Sequence, residues 1–241
     1  MPPQGSTSRP RARSGRARRT PVWTWWVLGG VLVVAFLAGF LWNRGQSETE
    51  QATVHRPTST AGRNGGAIVG DANAPVTITE YGDLQCPVCA ALHQAWGPTL
   101  DQLIQQGKVK FEFVGLGYLD GDGSESTRSA AAALCAADAG KFVEYYDVLY
   151  NQQSPVERSG FLTTDQLLKF GADVGITDPT FTKCVRDGRY DGWVRRTSDV
   201  ASRKGVTGTP TVFVNGRQVN NAVVADPSRL TALVNQAAGQ G

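Results

Sequence analysis

The sequence predicts an α/β fold that carries an inserted helical domain and is preceded by a single N-terminal transmembrane helix. Three observations carry that prediction. The strand-forming run Val76-Thr77-Ile78-Thr79-Glu80-Tyr81 feeds into a helix-forming run, and two cysteines three residues apart, Cys86 and Cys89, sit at the junction. A second strand pattern follows, and a long series of helical patterns then intervenes before the chain returns to strand at 211–214. Ahead of all this, Val22 to Trp42 contains no charged residue.

Residues 1–21 form a basic tail, with Arg9, Arg11, Arg13, Arg16, Arg18 and Arg19 and no acid among them. Residues 22–42, rising about 1.5 Å each, are long enough to cross a bilayer core of roughly 30 Å. Trp23, Trp25 and Trp26 at one end and Trp42 at the other are placed as interfacial anchors. The arginines before the run, against Arg44, Glu48 and Glu50 after it, put the N-terminus in the cytoplasm and everything after Asn43 outside. A cleaved signal peptide is the alternative, but the run exceeds the usual apolar region of such peptides and no Ala-x-Ala follows it. The net charge of +3 is a topology signal, since without the six N-terminal arginines the balance is 18 basic to 21 acidic; no nucleic-acid partner is expected. Residues 43–66 are polar, with Pro57, Ser59, Gly62, Gly65 and Gly66, and read as a flexible linker. Residues 67–241 suffice for one domain with a substantial core.

Within that domain Val76, Ile78 and Thr79 favour a pleated strand, and Ala90 to Trp96 is rich in helix formers. Pro87 suits a first helical position, because its missing N–H would have had no partner there. Gly97-Pro98 predicts a kink before Leu100 to Gln106 continue the helix. Lys108 to Val114 alternates Val109, Phe111 and Phe113 against Lys110 and Glu112, the pattern of a half-buried strand. Helical patterns then cover 126–137, 140–152, 164–174, 180–188 and 189–204, with Thr163 or Thr164 and Asp178 as caps. The helical insertion is set at about 122–190. Gly208-Thr209-Pro210 leads into the strand 211–214, and Asn215-Gly216 is a hairpin turn pair. Asp226 caps a last helix with Pro227 in its first position.

The chemistry rests on the cysteines, all four of which lie on the outward side of the apolar run, where disulfides persist. Cys86-Pro87-Val88-Cys89 puts a thiol at a helix N-terminus, where unpaired N–H groups and the macrodipole stabilise a thiolate. Two thiols at this spacing close into a reversible disulfide. With Cys86 and Cys89 as natural partners, Cys135 and Cys184 remain for a structural bridge between two helices; a pair of buried free thiols is the alternative. Cys86-x-x-Cys89-x-x-x-His93 offers three soft ligands without a fourth, because the one other histidine, His55, falls in the linker. Haem attachment would need a histidine where Ala90 stands. No metal and no cofactor is therefore expected, and His93 reads as an ordinary helix-face residue.

Asn73-Ala74-Pro75-Val76 with Glu80-Tyr81-x-Asp83-x-Gln85-Cys86-Pro87-x-Cys89 resembles the N-terminal signature of the DsbA-like disulfide oxidoreductases, a branch of the thioredoxin superfamily. Gly205-Val206-x-Gly208-Thr209-Pro210-Thr211-x-Phe213-x-Asn215-Gly216 is similar to that family's cis-proline loop. The resemblance spans roughly 70–238, and a bridged cysteine pair in the insertion is like that of its membrane-tethered actinobacterial members. It implies a thioredoxin-like fold with an inserted helical domain, and it assigns roles. Cys86 would be the exposed, low-pKa thiol that exchanges with substrate, and Cys89 would close the disulfide again. A cis Pro210 would let Thr209 backbone groups pair with an extended substrate. Glu80, six residues before Cys86, would be a buried acid under Cys89 that exchanges its proton. From the residues alone, Pro210 also fits a trans strand entry, Glu80 an exposed strand position and Asp83 a loop or capping residue.

The expected function is that of an extracytoplasmic thiol:disulfide oxidoreductase in the cell membrane. It would oxidise cysteine pairs of exported proteins and be refilled by a membrane quinone-linked reoxidant. Strongly oxidising relatives carry a histidine between the cysteines; Val88 stands there instead, which predicts a less acidic Cys86 and a milder oxidant. The alternatives are a thioredoxin-like reductase or isomerase and a Cu(I)-binding thiol chaperone. No separate dimerisation domain is evident, which argues against the isomerase.

Overall fold

The computed structural model of the chain describes residues 65–121, 123–153 and 162–239. The basic tail, the 22–42 anchor and all of the linker except Gly65 and Gly66 lie outside the described residues. Among the described residues no helix is long and apolar enough to cross a membrane. Gly65 and Gly66 pack onto the domain: the Trp193 indole donates to Gly65 O at 2.9 Å, and a Cβ on Gly66 would stand 2.1 Å from Phe113 O.

The first strands are β1 (Ala67–Val69) and β2 (Val76–Gly82), followed by helix α1 (Pro87–Gln105) and strand β3 (Val109–Gly115). Between β3 and the next strand come α2 (Glu125–Asp138), α3 (Phe142–Asn151), α4 (Thr164–Asp173), α5 (Pro179–Arg186) and α6 (Asp191–Arg203). The hairpin β4 (Thr211–Val214) and β5 (Arg217–Val219), the short α7 (Asn221–Val224) and α8 (Pro227–Ala238) close the chain. The sheet order is β1-β3-β2-β4-β5; β2 and β3 are parallel and every other pair is antiparallel. A parallel pair demands a long crossover, and α1 supplies it.

Strand alternation divides the sheet into two faces. Ile78 and Glu80 of β2, Phe111 and Phe113 of β3 and Val212 of β4 are in register on one face. Against the apolar residues of that face pack Cys89, Leu92, Trp96, Leu100 and Leu103 of α1, with Leu230 and Val234 of α8. On the other face Tyr81, Val114 and Leu116 meet Ala201 of α6 and Val206. This covering corrects the reading of β3 as half-buried. Glu112 is buried, with the Thr79 hydroxyl donating to its Oε2 at 3.3 Å, because α6 closes the face that alternation assigned to solvent.

The expected caps are in place. Thr163 accepts from Gln166 N, Asp178 from Thr180 N, and Asp226 from Ser228 N and Arg229 N. Asn215 and Gly216 turn the hairpin with φ of 45° and 78°, both left-handed. Helix α1 runs through Gly97 and Pro98 as one element. Two elements are additions: β1, three residues paired only to β3, and α7, capped by Asn220.

Among the described residues five helices separate β3 from β4. Ala130 to Ala137 of α2 are all buried, so this small-residue helix is packed on most of its sides by α3, α5 and α6. Cys135 of α2 and Cys184 of α5 are bonded, with Cα atoms 5.9 Å apart. The Tyr190 hydroxyl donates to Asp138, and the Tyr145 hydroxyl donates to Leu167 O at 2.8 Å. Helix α3 carries Tyr146 and Tyr150 across to the face of β2 that holds Glu80, while α6 returns to the opposite face.

Candidate active site

Cys86 is the N-cap of α1, with Pro87 at N1. Cys86 is itself buried, 7% exposed, where the resemblance implied an exposed thiol, because the loop carrying Thr209 lies against its sulfur; Cys89, fully buried, sits one turn deeper. Both are free thiols. The Cys86 thiol is lowered from 9.0 to about 5. The largest cause is the Cys89 sulfhydryl, which donates to the Cys86 sulfur; the Thr209 side chain and the N–H groups of Cys89 and Val88 add to it, and burial opposes them. Cys89 is pushed far in the other direction, first by burial, then by that same bond to Cys86, then by the charge of Glu80. The pair is thus polarised, an ionisable outer sulfur over a protonated inner one. Val88 contributes only its backbone N–H, and its side chain is 61% exposed beside the outer sulfur.

The loop before β4 completes the outer wall. The Thr209-Pro210 bond is cis, and the Cys86 thiol donates to Thr209 O at 3.5 Å. Pro210 is buried and its carbonyl accepts from Asn221 Nδ2 at 2.7 Å, so α7 buttresses the loop. A groove of about 490 Å³ runs from Cys86 along Thr209, Gly208 and Val206 to Tyr118 and Leu119. Leu119 is 48% exposed at its rim, and the Tyr118 hydroxyl donates to Val206 O at 2.7 Å.

Glu80 lies beneath the cysteines with no solvent exposure. Burial pushes its carboxyl up to about 8, against a bond from Tyr146 that lowers it. The Tyr146 hydroxyl donates to Glu80 Oε2 at 2.8 Å. The structure therefore brings Cys86, Cys89, Thr209, Pro210 and Glu80 together, and it places the Cys135–Cys184 bridge apart from them in the insertion. His93 is held across the rings of Tyr146 and Tyr150, with centroids at 4.8 and 5.2 Å, and its Nε2 is 3.1 Å from Asp147 Oδ1. Among the described residues no three His, Cys, Asp or Glu side chains cluster to hold a metal ion.

Four residues join the site that spacing did not single out. Asp83 is fully buried and accepts from Gln85 N at 2.9 Å and Leu119 N at 3.0 Å, tying the cysteine loop to the groove rim. Burial raises its carboxyl to about 6. Gln153 Nε2 donates to Leu84 O at 2.7 Å from the end of α3, bracing the same loop. Tyr146 and Tyr150 come from the insertion. Their spacing of four marks one helix face, but aromatic residues at that spacing ordinarily signal core.

Comparison with known proteins agrees with this geometry. A family model described as Thioredoxin matches residues 63–236. A probable disulfide bond formation protein D of Bacillus anthracis is 30% identical over 155 residues, which is 63% of this chain and 70% of that protein. Among solved structures, the reduced disulfide bond oxidoreductase DsbG of Mycobacterium tuberculosis superposes with a TM-score of 0.64 at 24% identity, covering 74% of this chain and 90% of that one. Oxidised BdbD of Bacillus subtilis gives 0.63 at 23% identity, covering 77% and 100%. At these identities the structures speak to the fold.

Proposed function

The chain belongs to the thioredoxin family as a DsbA-like protein disulfide oxidoreductase, and we propose that it acts outside the cytoplasm, oxidising cysteine pairs of exported proteins through Cys86 and Cys89. The observation that carries this reading is the seating of Cys86 at the N-terminus of α1 against the cis Thr209-Pro210 loop, with Cys89 buried one turn deeper, an arrangement that lowers the outer thiol and raises the inner one. A substrate thiolate attacks Cys86 Sγ of the closed disulfide. The Cys86–Cys89 bond breaks, Cys89 leaves as a thiolate, and Glu80 returns a proton to it. A second substrate thiolate then attacks the mixed disulfide at the substrate sulfur, and Cys86 departs with the electron pair. A low-pKa thiol is the better leaving group, so this second step runs toward substrate oxidation. The same acidity stabilises the reduced enzyme and makes its disulfide the stronger oxidant.

The groove past Thr209 supports docking of an extended substrate, with Leu119 on its lining and Val88 in the cysteine turn as exposed apolar side chains. The arginines before the apolar run 22–42 support a single-pass anchor with the catalytic domain outside. The reduced pair must then be refilled by a membrane partner, and a quinone-linked reoxidant suits the setting. Trapping the in-cell state of Cys86 and Cys89 with an alkylating label tests the reading. A pair found mostly as the disulfide is expected. A pair found mostly as dithiols would make the protein a reductase.

A further inference from the structure

We propose that Tyr146 and Tyr150 of the helical insertion are positioning residues that set when Glu80 exchanges its proton with Cys89. The inference rests on the assignment of Glu80 as the acid that serves Cys89. Glu80 has no outlet of its own: its register neighbours are Phe113 on β3 and Val212 on β4, neither of which carries a polar side-chain atom. Its polar surroundings come from the insertion. Tyr146 and Tyr150, four residues apart on α3, present both hydroxyls to the buried carboxyl. The Tyr146 hydroxyl donates to Oε2 at 2.8 Å.

Glu80 Oε1 and the Tyr150 hydroxyl both border the space over Gly82, and neither has a hydrogen-bond partner among the described residues. A Cβ on Gly82 would stand 2.8 Å from Oε1 and 3.0 Å from the Tyr150 oxygen. Glycine at this position keeps the carboxyl and the second phenol in one chamber.

Among the described residues the other groups that face this chamber are few. From α1 come Cys89 and, farther out, Cys86; Asp83 follows at the exit of β2 and acts on Tyr150. His93 lies across both tyrosine rings with Asp147 on its outer side. Among the described residues Tyr146 is the group hydrogen-bonded to the carboxyl, and the Tyr150 hydroxyl shares the space over Gly82 with Oε1. A phenol donor favours the carboxylate over the acid, so it lowers the pH at which Glu80 can accept a proton from Cys89. The step it governs is resolution of a mixed disulfide on Cys86. Cys89 Sγ–H gives its proton to the Glu80 carboxylate, Cys89 Sγ bonds to Cys86 Sγ, and the sulfur that had been joined to Cys86 leaves as a thiolate.

The test forms the mixed disulfide of Cys86 with glutathione and follows glutathione release against pH. In the wild type the rate climbs through a step that reports ionisation of Glu80. Loss of a hydrogen bond to an ionised group moves a titration by about one pH unit, so Tyr146→Phe is expected to shift that step upward by about one unit. Tyr150→Phe is expected to shift it in the same direction by less. Phenylalanine keeps the ring, and thermal melting of each variant separates a packing defect from a changed profile. A Tyr146→Phe enzyme whose step stays at the wild-type pH, while Glu80→Gln abolishes the step, overturns the inference and leaves the Glu80 assignment intact. A Glu80→Gln enzyme that keeps the wild-type step overturns both. Should Tyr146→Phe not fold, an unmoved Tyr150→Phe profile overturns the proposal by itself.

Discussion

Replacing Cys89 with alanine removes the donor that contributes most to the acidity of Cys86. The outer thiol is displaced from 9.0 to about 5, and the Cys89 sulfhydryl is the first of several donors responsible. A hydrogen bond to an ionised partner contributes about 1.5–3 kcal/mol, which is about one to two pH units. In Cys89→Ala the Cys86 thiol should therefore titrate at about 6–7, still below 9.0 because Thr209 and the N–H groups of Cys89 and Val88 remain. Ultraviolet thiolate absorbance against pH reads this directly, and the pH dependence of alkylation rate checks it. Cys89→Ser keeps a donor at the same place and should stay nearer the wild-type value. A Cys89→Ala thiol that still titrates near 5 would refute the reasoning, since the helix terminus and Thr209 would then suffice alone. A thiol near 9 would refute it from the other side.

Three further outcomes follow from the same geometry. The reduced protein should gain stability over the disulfide form as pH rises from about 5 toward 9.0: a depressed folded-state pKa gives a contribution that is present above the unfolded value and lost as pH falls through the folded one. Cys86 lines an open groove, so the gain is discounted for screening to about 2–3 kcal/mol, and parallel thermal melts that show no divergence with pH would count against it. Glu80 is raised from 4.5 to about 8, so its contribution is full below 4.5 and is lost as pH rises through 8. Burial is the dominant cause, so the loss should appear in both redox states, and Glu80→Gln should flatten it. Removing the Cys135–Cys184 bridge by double alanine substitution opens a loop of 49 residues and should lower stability by up to about 4 kcal/mol in urea melts. Unchanged melts would mean that the bridge does not clip α2 to α5.

The path from sequence to site is uneven for physical reasons. Cys86, Pro87 and Cys89 announce themselves because a helix start, a proline at its first position and a thiol pair are all local signals. Asp226-Pro227 and Asn215-Gly216 are legible for the same reason. Glu112 is not, because alternation says which side of a strand a residue faces and cannot say that α6 covers that side. Tyr146 and Tyr150 stand 66 and 70 residues from Glu80 in the chain. Their pattern is that of any amphipathic helix, and only the packing of α3 on β2 turns two core aromatics into partners of an acid. Asp83 reads as a loop residue and is one, yet its two oxygens tie the cysteine loop to the groove rim. The three-residue β1 is too short to register as a strand pattern.

The direction of exchange is set by the reduction potential of the Cys86–Cys89 couple. Equilibration against glutathione buffers, read by alkylation of the free thiols, gives the value. A thiolate held at about 5 over a protonated partner predicts a couple well above thioredoxin's roughly −270 mV, able to donate its disulfide to exported proteins. A couple at or below about −270 mV would contradict the account and make this enzyme a reductase.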